Sequence, residues 1–80
     1  MAQSLQLKLN QKKFELVDPS VRFGSMNAMA LVSKLQKERP TSVIIDFDGK
    51  TESRQFLDEI AADAGYVAGV EGTRATLEPS

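Results

Sequence analysis

Asp46 and Asp48 stand two residues apart, directly after the apolar run Val43-Ile44-Ile45 and before Gly49-Lys50. With Ser25, they are the groups in the chain best suited to accept or handle a phosphoryl group. The wider inventory of reactive side chains is short. The sequence has no cysteine, so thiolate chemistry, thiolate metal sites and disulfides are excluded. It has no histidine, which removes the commonest metal ligand and the commonest general base at neutral pH. Serine, aspartate and lysine remain, but their spacing shows no further catalytic set.

Asp46-Phe47-Asp48-Gly49 behind a hydrophobic strand resembles the first motif of haloacid-dehalogenase-type phosphatases. That resemblance implies Asp46 as nucleophile and Asp48 as acid and base, with Mg²⁺ held by further carboxylates. It also implies a lysine and a hydroxyl from later motifs. Lys50 stands where the motif usually has threonine, and only about thirty residues follow Asp48, too few for the remaining strands of that fold. A strand ending in an Asp-Gly turn accounts for the same residues and is the preferred reading. Gly65, Gly69 and Gly72 lack the lysine and hydroxyl that a phosphate loop needs, and read as backbone turns. Gly24-Ser25-Met26-Asn27 opens a helix and could attract an anion, with Arg22 nearby, but plain capping by Ser25 or Asn27 is the simpler role.

The elements that must position these residues follow from periodicity. Leu5, Leu7 and Leu9 alternate with polar residues, and Phe14 and Leu16 resume the alternation. The two runs read as a hairpin or as one strand with a frayed start, the second run being the core strand, and Asp18-Pro19-Ser20 ends it. Residues 25–39 read as a helix with the stripe Ala28, Leu31, Val32, Leu35, stopped by Pro40. Residues 42–47 are a β-branched strand, with Asp48-Gly49 expected as a tight hairpin turn. Lys50 to Arg54 is a short return strand or the run-in to a helix. A second helix, 53–64, carries Phe56, Leu57, Ile60, Ala61 and Ala64 and stops at Gly65. The glycines then punctuate a loop before a last strand over 73–77.

Eighty residues with 41% apolar and 26% charged side chains make one globular domain, 1–80. The core of so short a chain leaves little room for a deep, dry cleft. Ten basic residues against eleven acidic ones exert no bulk pull on nucleic acid or anionic lipid. Lys34, Lys37 and Arg39 are explained by a solvated helix face as well as by a weak nucleic-acid site. No apolar run approaches a membrane span and the first ten residues are not a secretory signal, so a cytoplasmic location is expected. The fold class is α+β: two helices on one face of a small antiparallel sheet, an open-faced sandwich.

This layout resembles HPr, the histidine-containing phosphocarrier of the bacterial sugar phosphotransferase system. The residues that carry the likeness are Lys12-Lys13-Phe14-Glu15-Leu16-Val17, the block from Val43 to Lys50, Phe56-Leu57-Asp58-Glu59-Ile60, Gly65 and Gly69, and the run from Thr73 to Leu77. By register from Asp48-Gly49-Lys50, the family's phosphorylated histidine falls at Ser25, its following arginine and proline at Asn27 and Ala28, and its regulatory serine at Phe56. The resemblance therefore implies an HPr-like domain that has lost its carrier chemistry and works as a non-catalytic interaction or regulatory module without a cofactor. The family's C-terminal helix has no counterpart, which leaves room for a homodimer or a docked protein. The partner surface it implies is built from the two helix starts: Ser25, Met26, Asn27, Met29, Arg54, Phe56 and Leu57. Either Phe56 or Leu57 should lie at an edge, because both do not fit in one buried stripe.

Overall fold

Alternating side chains and two-residue turns build the sheet, and two amphipathic helices cover it. The structure is a computed structural model describing residues 4–17 and 25–80. The break at Asp18-Pro19-Ser20, Arg22 and Gly24 lie outside the described residues. Strand β1, Ser4–Asn10, and strand β2, Lys13–Leu16, form an antiparallel hairpin closed at the Asn10↔Lys13 pair. Gln11 takes the left-handed conformation there, with φ 58°. A two-residue strand β3, Ser25–Met26, pairs with β2. Helix α1, Ala28–Glu38, begins where Asn27 Oδ1 accepts the Ala30 N–H at 2.9 Å, so Asn27 and not Ser25 is its cap. Lys34 and Glu38 pair one turn apart on its outer face, at 2.6 Å.

Strand β4, Ser42–Asp46, leads into helix α2, Thr51–Ala64. Strands β5, Tyr66–Glu71, and β6, Arg74–Pro79, complete the fold as a second hairpin. The sheet order is β3-β2-β1-β4-β6-β5. Every neighbouring pair is antiparallel except β1 and β4, which are parallel. The sheet is thus mixed and six-stranded, and not the small antiparallel sheet expected. The cause is α1. It carries the chain back along the sheet, so β4 starts level with β1 (Ser4↔Ser42) and must run in the same direction.

Two further expectations are corrected. Asp48-Gly49 is no hairpin turn: Asp48 Oδ1 accepts the Lys50 N–H at 2.8 Å, Gly49 takes φ 79°, and the chain enters α2 at once. Residues 50–54 therefore belong to the helix and its cap, not to a return strand. The segment with Gly69 is strand, not loop, because Gly72 at φ 63° opens a two-residue turn between the paired Glu71 and Arg74.

One face of the sheet supplies Leu7, Leu9, Phe14, Val43, Ile45, Ala75 and Leu77 to the core, and both helices cover it with Leu31, Leu35, Leu57, Ile60 and Ala61. β1 is as much a core strand as β2. The helices are tied at their C-terminal ends. Gln36 Nε2 donates to the Asp63 carbonyl at 3.0 Å, Arg39 Nη1 to the Ala64 carbonyl at 3.0 Å, and the Tyr66 hydroxyl to the Pro40 carbonyl at 2.7 Å. Among the described residues, no helix is long and apolar enough to cross a membrane.

The start of α2 yields a pH prediction. The Lys50 N–H bond chiefly holds the Asp48 carboxyl below its ordinary value; desolvation opposes it, and the Ser53 hydroxyl and the nearby Lys50 charge add smaller lowering effects. A carboxyl depressed in the folded state binds its proton more readily when unfolded. Its contribution is therefore complete above the ordinary carboxylate range and disappears as pH falls through the lower, folded value. Asp48→Asn should flatten the acid limb of the Tm-against-pH curve while leaving its slope above that range unchanged. An unaltered acid limb, followed by circular dichroism, would count against this role.

Candidate interaction surface

The two aspartates are both engaged, in different places. Asp46 lies on the sheet face that carries no helix, where its Oδ1 accepts Arg74 Nε at 3.1 Å. Register extends this pair into a row of alternating charge across five strands: Glu15, Lys8, Asp46, Arg74, Glu71. Opposite charges on adjacent strands support pairing in this register and oppose slippage. Asp48 sits instead at the start of α2, bonded to Lys50 N–H. Among the described residues no group of three or more carboxylates converges on either of them.

The seven residues expected to share a partner surface are divided by the fold. Ser25 is in register with Glu15, so its side chain belongs to the helix-free face. Met26, one residue on, pairs with Phe14 and packs against the core. Asn27 is committed to its cap bond. Leu57 is fully buried and is not available to a partner. Phe56 is half-buried at the edge, its ring stacked on Phe14 with centroids 5.9 Å apart and planes at 13°. The expectation that one of Phe56 and Leu57 lies at an edge therefore falls to Phe56. Arg54 is exposed, but two residues turn an α-helix through about 200°, so it points away from Phe56. Met29 is 82% exposed, the largest exposure of any large apolar side chain among the described residues.

What the structure places beside Met29 was not expected from the sequence. α1 enters β4 after a short connection and α2 leaves it after another, so both helices run antiparallel to β4 and side by side. Between them lies an open groove of about 250 Å³, lined by Ala28, Met29, Val32 and Gln36 of α1 and by Ile60 and Asp63 of α2. Phe56 lies one helical turn before Ile60 on the same side of α2. Val32 and Ile60 read as ordinary core stripe in the sequence, since periodicity shows that a face is apolar but not how far a neighbouring helix covers it. A second, more polar depression of about 510 Å³ lies at the start of α2, around Lys12, Asp48, Lys50, Phe56 and Glu59.

The chain matches no protein-family model, no curated protein and no solved structure. Its class is that of a small α+β domain with a mixed six-stranded sheet and two helices.

Proposed function

We propose that the chain is a cytoplasmic, non-catalytic interaction or regulatory module that docks another protein on the groove between α1 and α2, with Met29 as the principal contact. The observation that carries this is the exposure of Met29 at the rim of a groove floored by apolar side chains. Exposing so large a flexible apolar group costs free energy that a partner would recover, and methionine adapts its shape to what it meets. The groove is smaller than the roughly 300–1,000 Å³ of small-molecule pockets and suits one or two anchoring side chains better. The reading rests on this surface and not on kinship to HPr, since the parallel β1–β4 pair departs from the antiparallel sheet which that kinship implied.

Met29→Asp tests it. The side chain is exposed and outside the core, so the Tm should stay within a few degrees of wild type. Proteins co-purified with the wild-type chain should be lost, and the dissociation constant of a purified one should weaken by about tenfold or more. Unchanged binding by Met29→Asp would remove this surface from consideration.

A further inference from the structure

The two walls of the groove differ in charge. Along α2, Glu52, Phe56, Glu59 and Asp63 fall at i, i+4, i+7 and i+11, so three carboxylates and one aromatic ring share one side of the helix; Asp63 lines the groove itself, and Glu52 and Glu59 line the depression that adjoins it at the start of α2. Lys12 and Lys50 stand near the first turn, beside Glu52 and Glu59. Further along, the groove holds Asp63 and no basic residue among those lining it. Neither Glu59 nor Asp63 forms an ion pair among the described residues, where only Lys34–Glu38 and Asp46–Arg74 do. The α1 wall is apolar and neutral: Ala28, Met29, Val32, Ser33 and Gln36. Lys34 turns away from it to pair with Glu38.

We infer that the occupant of this groove is a basic amphipathic helix, with an apolar ridge seated against Met29, Val32 and Ile60 and lysines or arginines along the flank that meets Glu59 and Asp63. This rests on the interaction reading given above and specifies the chemistry of the partner. Two parallel helices offer a trough into which a third lays residues at i, i+3, i+4 and i+7. The unpaired acids set its orientation, because only one flank of the incoming helix then needs positive charge. A second copy of this chain pairing through the exposed edge strand β5 is a weaker candidate. It would bring α2, which packs beside β5, towards another α2 with the same four acids and single arginine.

The test uses the full chain and two short synthetic peptides. One carries leucines at helical spacing with lysines along one flank; its twin carries glutamates in their place. The lysine peptide should bind, with anisotropy rising on titration and NMR shifts centred on Met29, Val32 and Ile60. Its affinity should fall steeply with salt, and the twin should not bind. Glu59→Lys with Asp63→Lys should weaken the lysine peptide by about tenfold or more and admit the glutamate twin. Both positions are exposed, so the fold should survive the change. Equal binding of both peptides, shifts elsewhere on the molecule, or indifference to the charge reversal would overturn the inference. So would binding of neither peptide. In that case a loss of co-purified protein on Met29→Asp would still uphold the docking surface, and only the partner's chemistry would be wrong.

Discussion

Phe14→Ala should remove most of the chain's folding free energy. Phe14 is completely buried, and it is the largest of the fully buried side chains. It also joins three elements: it pairs with Leu9 of β1 and Met26 of β3, and its ring stacks on Phe56 of α2. Truncating such a ring costs about 3–5 kcal/mol, part of it lost burial and part the cavity left behind. Native domains hold only about 5–15 kcal/mol in all, and a chain of 80 residues lies towards the lower end. Phe56→Ala should cost less, since that ring is partly exposed to water. Urea titration followed by circular dichroism measures both. A loss below about 1.5 kcal/mol for Phe14→Ala, the range of conservative core swaps, would mean that β2 and β3 contribute little to the folded core.

Arg39 should prove unusually sensitive for an exposed position, through a combination of backbone and side chain. It closes α1 in the left-handed conformation, φ 48° and ψ 55°, which an L side chain adopts at a cost of roughly 1–2 kcal/mol. Its guanidinium offsets that cost. Nη1 donates to the Ala64 carbonyl near the end of α2, and the group lies 4.8 Å from the centre of the Tyr66 ring. Arg39→Ala keeps the strained backbone and removes the clamp, so it should destabilise by about 1–2 kcal/mol after allowance for solvent screening. Arg39→Gly removes the clamp but relieves the backbone, and should be more stable than Arg39→Ala by about 1 kcal/mol. Arg39→Lys keeps the charge without the planar fork and should fall short of wild type. If glycine is no better than alanine, the backbone at 39 is not strained. If alanine equals wild type, the clamp contributes nothing. Arg39 therefore has a structural role that explains it without a nucleic acid.

Local elements were readable where a period or a stop signal was strong. Ala28, Leu31, Val32 and Leu35 with Pro40 mark α1, and Val43-Ile44-Ile45 marks β4, each within a few residues of the observed ends. β5 was missed because Val67 is 59% exposed and Gly69 has no side chain, so the alternation of Tyr66, Ala68 and Val70 is blurred. The signal that could have found it was Gly72, whose positive φ closes a hairpin between Glu71 and Arg74. Asp48-Gly49 misled because the same dipeptide serves hairpins and helix starts, and the segment downstream, here α2, decides between them. Among the surface candidates, the sequence left open which of Phe56 and Leu57 lies at an edge and favoured ordinary packing for Met29, whereas in the structure Phe56 takes the edge and Met29 is exposed. Ser25, Arg54 and Leu57 were separated from them by strand register and helix rotation.

By itself the sequence determined the residue types available, and hence that neither histidine nor cysteine chemistry operates here. It also determined the two helices, the β-branched strand and the single small domain, because these depend on neighbours a few residues away. The tertiary structure alone decided that β1 and β4 run parallel, that Asp46 faces Arg74 across the sheet, and that Asp63 of α2 borders an apolar groove beside Met29. Each of these depends on which elements lie side by side. That is settled by the burial of a shared core, to which residues distant in the chain contribute together and which no local pattern encodes.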